Sequence, residues 1–448
     1  MRQQSLGPPH GRRGLPHQIP WPDYTWHPGI LAGLSREPLL AVVYNPRSRP
    51  WSEIVDTASG LCRLLWVIDS SKPGVGVVAS LLRKFGKVID AAGCTDQELV
   101  HLVYAENPDG ITSYSDADLH RQAWLAAALE LPGPTVRSAT LLTDKLLQRE
   151  ALAAAGVPQP LFSAVGGLAD GSEVERLSGI LRFPIMLKPR DGSACRGISS
   201  VNDADELGRL LKELERPIGM IAEERMEDLP ATAAPYADRV SIDSMVSHDV
   251  ISHLGITGLF AMAPPFRSRG GFFPADVAPP EIAEMFEMAT ACIKALGSAF
   301  GCYRTEIKLT PQGCKIIEVN GRPTGLTPTV VKLAAGLPLL QMCMRLALGE
   351  HIVVQGPVPC DRVAYRYYDE PPMSAEKVIA INGLEELRKL PGVVRVDVHK
   401  GPGDPVDWQN GSLDKVFQVT GTVADYAELA KHYRACTEDV VVTYEHRA

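Results

Sequence analysis

The stretch 305–322, Thr-Glu-Ile-Lys-Leu-Thr-Pro-Gln-Gly-Cys-Lys-Ile-Ile-Glu-Val-Asn-Gly-Arg, constrains this chain more than any other. It reads as two β-strands, at about 302–309 and 314–320, joined by a Pro-Gln-Gly turn. With Pro311, Gln312 and Gly313 as the loop, Glu306 falls directly opposite Glu318. Their Cβ atoms then sit roughly 4.5–5.5 Å apart, where two like charges destabilise a sheet. A divalent cation removes that penalty, and hard oxygen ligands suit Mg²⁺. Period-2 alternation puts Asn320 on the same face. Arg304 and Lys308 share that face, while Thr305, Ile307, Leu309, Ile317 and Val319 form the apolar one. A hairpin with a salt-bridged, solvated side shows the same alternation, so support for a metal has to come from elsewhere in the chain.

At 448 residues the chain exceeds one ordinary core, and two to four domains are expected. A 45% hydrophobic and 22% charged composition is that of a soluble globular protein. The net charge of −8, spread along the chain, argues against a nucleic-acid partner. Nine cysteines are scattered with no CxxC pair, so neither zinc nor a disulfide framework is expected, and a reducing cytoplasm is the simplest setting. No stretch approaches the roughly 20 apolar residues of a membrane span, so no membrane partner is expected. Arg12-Arg13 is followed by no apolar segment, which speaks against export. The Pro-, His- and Arg-rich residues 1–38 read as a disordered arm.

Strand candidates at 39–44, 61–69 and 87–92 alternate with helices at about 51–60 and 77–86, the rhythm of a small parallel sheet. A helix near 115–131 closes this unit, and one at 139–155 stops at Gly156-Val-Pro. Strands follow at 183–188, 198–201, 220–224, 239–246 and 250–260, then a helix at 280–298 that runs into the hairpin. Residues 327–349 read as helical, and beyond Gly356-Pro strands and helices mix, with helices expected within 374–390.

Lys188 ends an apolar strand just before a loop with Gly192, Ser193 and Gly197, where a lysine and loop amides can hold phosphate oxygens. Alone, a strand-end lysine next to a turn is more often just solvated, and Lys145 is an ordinary polar helix residue. In order, however, Thr143-Asp-Lys145, Gly156-Val-Pro158, Phe183-Pro-Ile-Met-Leu-Lys188-Pro, Gly192-Ser193, Gly197, Thr305-Glu306 and Ile317-Glu318-Val-Asn320-Gly-Arg322-Pro form one series. Over about 39–350 this series resembles the ATP-grasp superfamily, and within it the carboxylate–amine ligases. The tail from about 357 is similar to the lid-like subdomain of bacterial L-amino-acid ligases.

The resemblance implies an α/β ATP-grasp fold. A pre-ATP-grasp α/β domain would occupy 39–134, two ATP-gripping subdomains 135–222 and 223–356, and an α+β lid 357–448. It implies an ADP-forming ligase that joins a small-molecule carboxylate to an amine, such as an amino acid, through an acyl phosphate. ATP would serve as phosphoryl donor with Mg²⁺ or Mn²⁺, and a homodimer is left open. Lys145, Lys188, Gly192, Ser193 and Gly197 would contact the phosphates, and Glu306, Glu318 and Asn320 the metal. Arg322, with Lys188, would act on the transferring group. Glu223 or Glu224 would meet adenine at the hinge, with Met226 against the base. Arg267, Arg269, Asp243 and Gly325 are substrate-side candidates. Cys195 reads as a small filler residue rather than a nucleophile. A bicarbonate-activating enzyme like biotin carboxylase, and a non-catalytic nucleotide-binding regulator, stay open as alternatives.

Overall fold

The computed structural model of the chain describes residues 24–27, 36–46, 48–166, 171–192, 195–214, 219–229, 235–298 and 300–447. Its first layer is a parallel sheet in the order Gly86–Asp90, Arg63–Ile68, Leu39–Val43, Gly110–Ser113. These strands read as unbroken apolar runs because both faces are covered. Leu40, Val42, Trp66 and Ile68 pack on helices Trp51–Ala58 and Val75–Leu82. Ala41, Val43, Leu65 and Val67 pack on Asp96–Tyr104 and Asp116–Ala128. The helix Asp96–Tyr104, absent from the sequence reading, is started by a capping box between Thr95 and Glu98.

The second layer is antiparallel, in the order Phe162–Ala164, Met220–Glu224, Ile185–Pro189, Ser199–Val201. Leu177 of helix Gly171–Ile180 and Leu207 and Leu211 of Ala204–Glu213 bury its inner face. A domain boundary at 222/223 would therefore cut a strand. The third layer is an eight-stranded antiparallel sheet: Gly313–Asn320, Gly301–Thr310, Tyr236–Ser247, Val250–Phe260, Gly270–Phe273, Val363–Tyr368, Phe417–Val423, Val393–Val398. Helix Pro279–Ala295 covers one face, and Thr327–Ala335 with Leu339–Ala347 the other. The tail thus continues the central sheet rather than standing apart. Gly270 makes that join possible: it has φ +85°, and a Cβ there would lie 2.0 Å from the Arg366 carbonyl oxygen.

Several sequence expectations are corrected. Within the arm, Tyr24–His27 is a strand paired antiparallel with His351–Val354; four residues are too few for alternation to show against a Pro-rich background. The 139–155 helix is two, Val136–Thr143 and Lys145–Ala154, because Asp144 turns extended and caps the second through Leu146 N and Leu147 N. The 327–349 helix is likewise two, bent by 117° across Gly336-Leu-Pro338. The helix expected within 374–390 is Leu384–Lys389, and it is preceded by a strand, Ala375–Asn382, that the sequence did not suggest. No single described helix is long and apolar enough to cross a membrane.

The join to the tail also buries ionisable groups. Arg267 Nη1 lies 3.6 Å from Glu370 Oε2, and neither Glu370 oxygen has a hydrogen-bond partner among the described residues. Burial pushes the Glu370 carboxyl up to about 8, against the opposing pull of Arg267 and Lys415 and with Asp369 reinforcing the rise. An unfolded glutamate titrates near 4.3. The folded chain therefore keeps this proton to higher pH, and the stability it contributes, full below about 4.3, is lost as pH rises through about 8. Glu370→Gln should accordingly raise Tm relative to the parent chain at pH 8.5 and make little difference at pH 5. Calorimetric scans at the two pH values check this; an equal shift at both contradicts it.

Candidate functional site

The hairpin Gly301–Thr310/Gly313–Asn320 does place Glu306 opposite Glu318, but by a different route from the one the sequence suggests. Thr310 pairs with Gly313, so the turn is two residues, and that register would set Glu306 opposite Ile317. A bulge between Glu306 and Ile307 inserts Ile317 as an extra residue and restores the glutamate pair. Ile316 and Val319, three apart, both join the core, and Ile317 turns outward into a cleft. The apolar assignment of Ile317 is thereby corrected to Ile316.

That cleft, about 550 Å³, lies between the second and third layers. Lys145, Lys188, Gly192 and Glu318 line one part of it. Met186, Ile198, Met226, Leu229 and Ile317 supply apolar wall. Lys145 Nζ donates to the Gly192 carbonyl oxygen at 2.5 Å, which fastens the helix start to the glycine loop. Gly197 has φ +69°, and a Cβ there would come within 2.9 Å of Pro189 Cγ, so the loop turns back only with glycine. Ser193 lies outside the described residues. Cys195 faces the cleft, but burial pushes its thiol up to about 11, which keeps it protonated.

Burial works to raise the Glu318 carboxyl, yet Lys145, a 3.3 Å hydrogen bond from Asn320 Nδ2, Lys188 and Arg239 hold it below the ordinary range. Glu306 Oε2 accepts from Arg239 at 3.0 Å, and Arg304 Nε lies 3.4 Å from Oε1. Two opposed carboxylates and an adjacent amide are a hard oxygen donor set, and each carboxylate keeps lone pairs beyond these contacts. The residues present fit a divalent cation.

Other candidates are placed differently. Glu223 and Glu224 do not line the cleft. Burial alone would raise Glu223, but Arg149 and Lys188 hold it down at about 2, and Lys188 Nζ donates to Oε2 at 2.6 Å. Glu224 Oε1 accepts from the Arg182 amide at 2.9 Å. Both carboxylates thus have partners within the protein, and Glu306, Asn320 and Arg322 likewise lie outside the lining of the cleft. Arg267, proposed as a substrate anchor, donates instead to the carbonyls of Pro264 and Pro371 at 2.9 and 2.7 Å. Arg269 reaches Tyr433 Oη at 3.5 Å. Asp243 is buried beside Arg304 at 3.3 Å, with burial raising its carboxyl. None of these three lines the cleft, nor does Gly325, whose carbonyl oxygen accepts from Arg366 Nη1 at 2.9 Å. Arg322 pairs with Asp116 of the first layer, while Arg322 Nε and Asp116 Oδ1 stay buried without partners among the described residues.

Three residues of this site escape a linear reading. Arg239 lines the cleft and bonds Glu306 from a neighbouring strand. Arg49 donates to the Thr324 carbonyl oxygen at 2.5 Å across 275 residues. Arg149 does carry a signal, since it follows Lys145 by four residues on one helix.

Residues 142–326 match the ATP-grasp domain family and 374–445 match L-amino acid ligase C-terminal domain 2. The crystal structure of an L-amino acid ligase from Bacillus licheniformis superposes with a TM-score of 0.71 at 20% identity, covering 92% of this chain and 99% of that one. The Sinorhizobium fredii protein y4rH is 27% identical over 69% of this chain and 63% of its own length. Human carnosine synthase 1 is 27% identical over 54% of this chain and 31% of its own. The matched region thus spans less than two thirds of either curated relative. The layered fold, the two lysines and Glu318 around one cleft, and the two domain matches agree: residues 142–326 are similar to an ATP-grasp domain, 374–445 to the C-terminal domain 2 of L-amino acid ligases, and the chain shares the fold of an L-amino acid ligase.

Proposed function

We propose that the chain joins a small carboxylic acid to an amine, with amino acids as substrates, and releases ADP and phosphate. The observation that carries this reading is the convergence of Lys145, Lys188 and Glu318 on one cleft with an apolar wall beside them. A carboxylate resists attack by an amine because its oxygen is a poor leaving group. Transfer of the γ-phosphate to the acid creates an acyl phosphate with a stable leaving group, and such transfer needs positioning and charge neutralisation more than covalent chemistry.

Lys145 and Lys188 then bind the phosphates, and the base lies against Met226 and Ile317. Mg²⁺ or Mn²⁺ held by Glu306, Glu318 and Asn320 would neutralise charge on the phosphate oxygens. Arg322, whose planar fork can hold two oxygens at once, stabilises the transferring group once Asp116 shares it. The tail shields the acyl phosphate from water. The names of the relatives, an L-amino acid ligase and a carnosine synthase, support a peptide-like bond as the product. A reducing cytoplasm as the setting belongs to the same proposal.

Incubation with ATP, Mg²⁺ and paired amino acids should release phosphate and ADP only when both an acid and an amine are supplied. AMP and pyrophosphate as products would exclude the acyl-phosphate route. Glu318→Ala should cut turnover on the order of 10²–10³-fold while leaving the far-UV circular dichroism unchanged. Activity close to that of the parent chain would refute the metal assignment.

A further inference from the structure

The strand Gly313–Asn320 is the outer strand of the eight-stranded sheet, and its register depends on one bulge. A slip of one residue there would turn Glu318 away from Glu306 and from the cleft. Helix Lys145–Ala154 docks on that open edge. Gln148 Oε1 accepts from Val319 N at 2.8 Å, and its Nε2 donates to Val319 O at 2.9 Å, as a further strand would. Pro158 O accepts from Ile316 N at 2.9 Å.

Arg149, 2% exposed, completes the contact. Its Nη1 donates to Ile316 O at 3.0 Å and Nη2 to Ile317 O at 2.7 Å, the two carbonyls at the bulge. The Nε donates to Glu223 Oε1 at 2.8 Å and Nη2 also to Oε2 at 3.2 Å. Gln159 Oε1, 3.3 Å from Nη1, takes the fifth bond. Five donors are all a guanidinium has, and every one is used. Glu223 in turn receives Lys188 Nζ.

We propose that Arg149, assisted by Gln148, is the positioning residue of the phosphoryl-transfer site, setting Glu318 through the bulge and Lys188 through Glu223. One guanidinium thereby fixes the spacing between a metal-side carboxylate and a phosphate-side lysine that belong to two different sheets. Lys145, Gln148 and Arg149 occupy one face of one helix, so the phosphate contact and the register clamp move as a unit. This rests on the reading of Lys188 and Glu318 as nucleotide and metal groups.

Arg149→Lys is the test, because it keeps the charge and loses the fork. Two quantities are read: MgADP affinity by calorimetry, and amide hydrogen exchange of peptides covering 313–320. The expected result is MgADP binding weakened about tenfold or more, as for the loss of a group that orients a metal ligand, together with faster exchange confined to that strand. The Mg²⁺ concentration for half-activation should rise in parallel, with the KM of the amine substrate unchanged. Exchange and affinity like those of the parent chain overturn the inference. Faster exchange with unchanged MgADP affinity makes Arg149 merely structural and overturns it as well. If Arg149→Lys does not fold, Gln148→Met, which leaves every charge in place, is read by the same two measurements with the same outcomes. Should the parent chain itself bind no MgADP, the reading of the cleft fails, and exchange at 313–320 still decides whether the clamp exists.

Discussion

Two carboxylates face each other across a β-ladder at Glu306 and Glu318, and the surrounding structure is arranged around the repulsion between them. At about 5 Å and an effective dielectric near 20, two unit charges repel by roughly 3 kcal/mol. That is a sizeable part of the stability of an ordinary domain. Arg239 and Arg304 take up the field on the Glu306 side, and Lys145 and Lys188 on the Glu318 side. Cations drawn from four elements of the chain thus surround the acidic pair. The same charges that make it tolerable are placed where phosphate oxygens would need them.

The loop after the hairpin shows a related economy of contacts. The carbonyl of Thr324 is held by Arg49 from the first layer and that of Gly325 by Arg366 from the tail. Arg304 Nη1 bonds Thr327 Oγ1 at 2.7 Å beneath them. Arg322, at the start of the loop, pairs with Asp116. The first layer, the central sheet and the tail therefore all contact five or six residues around the proposed transfer centre.

Legibility in the sequence followed the range of the interaction. The apolar runs at 39–44 and 61–69 are plain because burial on both faces leaves little ambiguity, whereas the cap at Asp144 is hidden inside an otherwise helical pattern. The opposition of Glu306 and Glu318 was legible as a pair, but its cause was not. A turn one residue shorter and a bulge one residue longer cancel, and a count from the turn cannot distinguish the two cases. The cost of that blindness falls on Ile316 and Ile317, whose roles exchange. Glu223 illustrates the opposite case. A glutamate at a strand end before a hinge suggests ligand contact, whereas its partners Arg149 and Lys188 are 74 and 35 residues away and invisible until the sheets meet. Arg267 likewise has partners at Pro371 and Glu370 more than 100 residues away.

Why an arginine should stand at 149 follows from the geometry of the bulge. A bulge leaves a carbonyl unpaired on the strand, and a buried carbonyl without a partner costs roughly 1–3 kcal/mol. Lysine could satisfy one such oxygen, but its rotatable ammonium would set no angle between two. A planar fork fixes both carbonyls of Ile316 and Ile317 relative to the carboxylate of Glu223, because its donors lie in one plane. The register of the metal-side strand and the seat of Lys188 are then no longer independent variables. A chain that has to hold a carboxylate from one sheet and a lysine from another at fixed separation gains most from a single rigid group that touches both.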